Sequence, residues 1–288
     1  MKEQPISDIS DVDSTGDNEV KYPKDIKGSK FRKYYHDFFN DKFIAEVVYP
    51  FKHDGYFVDC GACDGILFSQ SKSLEDDGWK GICIEPNWAF IDDLEKNRKC
   101  KVSRSAIVPR EYQGEHSFYQ GDAHTLSHLI LKADEMHKES YKVGGQDIHT
   151  ILKDNKAPKF IEFMGIDIEG SFGDSFSIEE RMLKELLESK DYTVGFFAVE
   201  HYWPPTVDSI FDSYDYVRVY NPYLKGLWLD QESGLSYSLS PWGNFICQQT
   251  GEEKKINVNH LKRIEWECYY VHLDVLKENK VLKRFLTP

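Results

Sequence analysis

Apolar residues recur along this chain in two rhythms. Between Phe31 and Phe51 the positions Tyr34, Tyr35, Phe38, Phe39, Phe43, Val47 and Val48 fall at mixed three- and four-residue spacings, which predicts an amphipathic helix leading into a domain. Beyond it come short apolar runs: YFVDC at 56–60, GICIE at 81–85, KVSRSAIV at 101–108, FIEFMGIDIE at 160–169 and VGFFAVEH at 194–201. Their β-branched and aromatic content, with little polar alternation in the first, second and last, predicts strands buried on both faces of a sheet. SQSKSLEDDGW and AFIDDLEKNRK separate the first three runs and have the length and pattern of helical crossovers. Strand, crossover and strand in repetition predict an α/β, doubly wound, mostly parallel sheet with helices on both faces.

Residues 109–150 break this alternation with polar, histidine-rich text, which reads as a lid or binding loop. After Val219 the runs GLWLD and NFICQQT predict antiparallel strands, and EWECYYVHLDVLKENKVLKRFL predicts a helix from about His260 to Leu286. The organisation expected is an acidic, disordered tail over 1–30, a core over 31–225 with its N-terminal helix, and a C-terminal extension of strands and helix over 226–288.

A chain of 288 residues, 40% hydrophobic, can bury one large core, so a single main domain is expected. Its formal net charge of −13 has the wrong sign for a protein that neutralises phosphates, which argues against a nucleic-acid partner. No stretch approaches the roughly 20 apolar residues of a membrane span. The first twenty residues lack the apolar segment of a secretory signal. Six cysteines in such a chain suit reduced thiols, and a cytoplasmic location is expected.

The chemistry begins at GYFVDCGACDG, residues 55–65, where the first strand should end. Open α/β sheets bind ligands at the carboxyl ends of their strands, and a Gly-rich first turn lets ligand atoms approach the backbone. The spacing is G-x-x-x-G, not the G-x-G-x-x-G of a dinucleotide site, so a nicotinamide-dependent oxidoreductase is disfavoured. Glu85, in CIEPN, ends the second strand, where an acid can accept both hydroxyls of an adenosine ribose. Together the two features point to a nucleoside-type cofactor.

In order, FVDCGACDG, GWKGICIEPN, SAIV, GIDIEGS and FFAVEH resemble the landmarks of the FkbM-like methyltransferases, over roughly residues 54–225. The resemblance implies the class I methyltransferase (Rossmann-like) fold and S-adenosyl-L-methionine as cofactor. On matching positions it gives Asp59, Gly61, Asp64 and Gly65 to the methionine end, and Glu85, Pro86 and Asn87 to the ribose and adenine side. Ser105 and Ala106, in SAIV, join the cofactor set. It also implies a sugar, glycan or small natural product as the hydroxyl-bearing acceptor. The chain departs from the pattern at Cys63, where the family usually has Asn, at Phe172 with the Gly-Asp-Ser that follows, and at EHYWPP in place of EHN. A catalytically weak binding or scaffold protein on the same fold is the alternative these departures raise.

O-methylation needs the acceptor aligned with the methyl group and relieved of a proton. Asp167 and Glu169 end the fourth run and would project together if the strand continues; Glu200 and His201 end the fifth. His201 has a base's pKa near neutrality. The other reading gives Asp167 and Glu169 a divalent cation that acidifies the hydroxyl. His124 and His128 stand four apart but lack a third ligand in register, and read as polar loop residues. Cys60 and Cys63 form a C-x-x-C, but a redox pair normally sits at a helix N-terminus, and a structural zinc site needs a second pair, which Cys100 and Cys83, inside a buried strand, do not make.

Overall fold

The computed structural model describes residues 33–36, 39–119, 128–130, 140–168, 171–172, 176–200, 204–221, 223, 227–230, 236–239, 245–247, 250, 252–254, 261–264 and 267–286. The tail expected over 1–30 lies outside them. The described residues between 28 and 224 and between 266 and 288 form one compact unit; those between 225 and 265 belong to another.

The larger unit is built on seven strands: β1 (Tyr56–Cys60), β2 (Lys80–Ile84), β3 (Lys101–Ser103), β4 (Phe160–Ile166), β5 (Thr193–Glu200), β6 (Tyr216–Val219) and β7 (Glu267–His272). They lie in the order β6-β7-β5-β4-β1-β2-β3. Neighbours from β5 to β3 pair in parallel, and β7 runs antiparallel to both β5 and β6. The sheet is thus mixed, large and mostly parallel, as the buried apolar runs predict.

Helices α1 (Lys72–Asp76), α2 (Trp88–Asn97), α3 (Ile148–Asp154), α4 (Ile178–Ser189), α5 (Pro204–Phe211) and α6 (Leu273–Glu278) flank it. The starts of three are written in the sequence. Asn87 Oδ1 accepts from Ala89 N–H at 3.0 Å, Asp147 Oδ1 from His149 N–H at 3.1 Å, and Ser177 Oγ from Glu180 N–H at 3.1 Å. Each satisfies a first-turn donor that the helix itself cannot.

Strand alternation sorts the side chains onto two faces. Val58, Cys60, Met164, Ile166, Phe197 and Val199 share one core with residues of α3, α4 and α5. On the opposite face Phe43 meets the rings of Phe196, Tyr269 and Phe285 edge-on at 5.6, 5.8 and 6.1 Å. Phe43 belongs to an N-terminal helical segment shorter than the spacing predicts, α-helical over Asn40–Phe43 and π-helical over Ile44–Val48, with Tyr34 and Tyr35 in non-helical chain before it.

Three sequence expectations change. KVSRSAIV divides between sheets: Lys101–Ser103 is β3, while Ala106–Ile107 pairs with Ser140–Gln146. Arg104, exposed and bonded to Glu95, separates the halves. Residues 109–150 include a sheet, with Gly114–Tyr119 antiparallel to both His128–Ile130 and Ser140–Gln146. The expected helix over 260–286 is mostly not helical: Glu267–His272 is β7, buried in the main sheet, and only α6 and a 3-10 turn at Leu282–Phe285 follow. Cys268, Tyr269, Tyr270 and Val271 are apolar or aromatic on both faces, which suits a central strand better than an amphipathic helix.

In the smaller unit, Leu227–Asp230, Ser236–Leu239, Phe245–Cys247, Glu253–Lys254 and Leu261–Ile264 make an antiparallel sheet. Among the described residues no helix is long and apolar enough to cross a membrane.

Candidate functional site

β1 runs into a turn that glycine alone fits. Gly61 has φ +86°, and a Cβ built there would lie 1.7 Å from the carbonyl oxygen of Asp167. Gly61 N–H and Ala62 N–H donate to Ile84 O at 3.0 and 3.3 Å, and Asp167 N–H donates to Cys60 O at 3.0 Å. The turn therefore ties together the carboxyl ends of β1, β2 and β4, the edge where open α/β sheets take ligands. Gly65 has φ +78°, and a Cβ there would meet Arg98 Cγ at 2.6 Å and Leu94 Cδ1 at 2.7 Å. The space beside both α-carbons is thus taken by protein: β4's end at Gly61 and α2 at Gly65.

Between the glycines, Asp64 Oδ1 accepts from Ile66 N–H at 2.8 Å and Leu67 N–H at 2.7 Å, an Asx turn that shapes the loop. Its Oδ2 takes no hydrogen bond from any described residue. Cys63 adopts φ +48°, and its N–H donates to Glu85 Oε2 at 2.9 Å. Burial, and then the carboxylates of Glu85, Asp167, Asp59 and Asp64, push its thiol up. Four carboxyl groups therefore lie near enough to act on the Cys63 thiol.

Glu85 stands at the end of β2, 5% exposed. Asn87 N–H donates to its Oε1 at 2.8 Å, so each oxygen holds one backbone N–H. A carboxylate has about four acceptor positions, which leaves room for further donors. Burial raises its pKa to about 7, against the lowering effect of the two N–H groups. Pro86 and Asn87 follow, and Tyr141 clamps the corner, its hydroxyl donating to Asn87 Oδ1 at 2.9 Å and accepting from Trp88 N–H at 3.0 Å. Trp88, 64% exposed, leans on the Tyr141 ring at 4.9 Å. Ser105 Oγ donates to Gln146 Oε1 at 2.7 Å, and Ala106 is buried in the core.

Asp59 faces a different set of partners. Its Oδ2 accepts from the hydroxyls of Ser71 and Ser69 and lies 3.8 Å from Arg98 Nη1. Arg98, with its side chain fully buried, also donates from Nε to Glu75 Oε2 at 3.0 Å and from Nη2 to Ser71 Oγ at 2.8 Å. Burial, opposed by Arg98, holds the Asp59 carboxyl above its ordinary range. This acid, given to the cofactor on resemblance, is engaged in a buried ion network behind the loop. Glu75 Oε1 in turn holds Cys100 N–H at 2.7 Å. Cys100 Sγ lies 3.4 Å from Cys83 Sγ: Cys100 immediately precedes β3, which pairs with β2.

The catalytic candidates divide. β4 ends at Ile166, so Asp167 lies beyond the strand that would have aligned it with Glu169. Glu169 and His201 lie outside the described residues. Glu200 is the cross-strand partner of Glu267, at the carboxyl end of β5. Glu267 is buried, and beside it lie His36 Nε2, 3.6 Å from its Oε1, and Asn40, whose Nδ2 donates to its Oε2. Burial pushes the His36 imidazole down to about 3, so the ring is neutral where it approaches Glu267. Asn40 Nδ2 also reaches Gln70 Oε1 at 3.2 Å, and Tyr269 hydroxyl donates to Asn40 Oδ1 at 2.7 Å.

Sequence reasoning missed His36, Asn40, Arg98, Tyr141 and Glu267. Only Asn40 carried a signal, a polar residue among the aromatics of FFNDKF. Among the described residues no three His, Cys, Asp or Glu side chains are grouped as a metal site; His124 and Glu169 lie outside them. No family model and no curated protein matches the chain.

Proposed function

We propose that the chain is an S-adenosyl-L-methionine-dependent O-methyltransferase of FkbM-like type, acting in the cytoplasm on a hydroxyl of a sugar, glycan or small natural product. The observation that carries the reading is Glu85: a buried carboxylate at the end of β2, beside the β1 turn, with acceptor capacity left after two backbone N–H bonds. The sheet order adds support. It is the 3-2-1-4-5-6 order of nucleotide-binding α/β sheets with one reversed strand, β7, between the fifth and sixth.

The residues fit the cofactor's own donors with a set of acceptors. Glu85 would accept from the ribose hydroxyls, with Asn87 and Tyr141 fixing the corner from which it reaches. Asp64 Oδ2 would accept from the ammonium of the methionine end. Asp59, committed to Arg98, acts from behind by holding the loop. When bound, S-adenosyl-L-methionine supplies a methyl group already activated by its sulfonium. Asp167, whose carbonyl packs on Gly61, is the described catalytic candidate nearest the turn, and its carboxylate would take the acceptor's hydroxyl proton. Glu200 would orient the acceptor from the end of β5.

The test is transfer of a labelled methyl group to a panel of hydroxyl-bearing glycans and small molecules. At least one acceptor should be labelled by the wild type, and Asp167→Asn should lower the rate by about 100-fold. An absence of transfer to every acceptor, or an undiminished rate in Asp167→Asn, would count against this mechanism.

A further inference from the structure

We infer that Cys83 and Cys100 are a dithiol that a small-molecule disulfide converts into a reversible intrachain disulfide. The two sulfurs are already in contact at 3.4 Å. Cys83 is fully buried in β2 and Cys100 is partly exposed in the bend before β3, so the pair combines an entry point with a sheltered partner. Glu75, itself bonded to Arg98, anchors the backbone of Cys100 through the Cys100 N–H, which keeps the thiol facing Cys83. A disulfide needs its sulfurs about 2.05 Å apart. The bend at Lys99 and Cys100 lies outside both strands and can supply the closing movement without disturbing the β2–β3 register.

The step balances as thiol–disulfide exchange. The Cys100 thiolate attacks oxidised glutathione, forming a mixed disulfide and releasing one glutathione. The Cys83 sulfur then attacks Cys100 Sγ and releases the second, so the two protein thiols lose two electrons and two protons and two glutathione thiols gain them. Residues 84–99, with Glu85, Asn87 and the whole of α2, become a closed loop. The inference does not rest on methyl transfer.

The test uses the full chain, first reduced, then equilibrated with excess oxidised glutathione under native conditions. Remaining thiols are alkylated in denaturant, counted by intact mass and mapped by peptide. Of six cysteines, two should escape alkylation, in a crosslinked Cys83–Cys100 peptide that dithiothreitol reverses. The oxidised protein should melt higher by on the order of 5 °C, since a loop of this length is constrained before unfolding. Cys100→Ser should show neither crosslink nor shift. Six alkylated thiols, a mixed disulfide that stops at Cys100, or a crosslink between Cys60 and Cys63 would each overturn the inference; the wild-type experiment decides these by itself.

Discussion

Gly61→Ala is expected to remove about 4 kcal/mol or more of folding stability, enough to unfold a chain of ordinary stability margin. Two costs combine. A side chain at φ +86° pays roughly 1–2 kcal/mol for the left-handed backbone alone. The second cost is steric: the new methyl group would sit 1.7 Å from the Asp167 carbonyl oxygen, a backbone atom that cannot rotate away. Relief requires β1 and β4 to part at their carboxyl ends, breaking the Asp167 N–H to Cys60 O bond. Gly114→Ala is the control, because Gly114 has φ +133° and nothing lies within 4 Å of its built Cβ. Urea unfolding of both variants should give a loss of about 1–3 kcal/mol for Gly114→Ala, from backbone strain alone, and a clearly larger one for Gly61→Ala, where the steric cost adds to it. Similar losses would mean that the contact between turn and β4 is not the constraint described here.

Arg98→Leu should cost about 3–5 kcal/mol, the range for removing one partner of a buried charge pair. The guanidinium is the counter-charge for both Asp59 and Glu75, and all three side chains are at most 6% exposed. Leucine would leave two carboxylates facing one another in the interior, and would strand the hydroxyls of Ser69 and Ser71 that now accept from Arg98. The comparison is Arg104→Leu. Arg104 pairs with Glu95 at 2.6 Å, shorter than either contact of Arg98 with a carboxylate, yet it is largely exposed. It should cost under about 1 kcal/mol. Chemical denaturation of the two variants thus separates burial from distance as the source of the effect.

The sheet was largely legible in the sequence because strands buried on both faces leave a continuous apolar record, as in YFVDC and VGFFAVEH. β7 was not, because CYYVHLDVL matches helical spacing as well as strand composition, and only its place between β5 and β6 decides the matter. The strands within 109–150 escaped notice for a related reason. Ser140–Gln146 buries only Val143 and Gly145, so it carries too few apolar residues to stand out from a loop. At the site, the turn glycines and Glu85 could be read from spacing, whereas their partners could not. Arg98 sits in the charged text EKNRKC, which reads as a solvated helix end, and it is buried because Gly65 leaves room above it. His36 and Glu267 are far apart in sequence, and nothing local marks them as neighbours. The family resemblance gave Asp59 to the cofactor; its surroundings show an acid occupied by Arg98 and two serines.

Isothermal titration calorimetry with S-adenosyl-L-methionine tests the central claim most directly. At pH 8 the Glu85 carboxyl, raised to about 7, is mostly ionised and able to accept from a ribose. The wild type should bind, and Glu85→Ala should weaken binding by about 100-fold, the effect of losing hydrogen bonds to a buried charged acceptor. NAD should produce no comparable heat. No binding by the wild type, or equal affinity in Glu85→Ala, would contradict the assignment of this site to S-adenosyl-L-methionine.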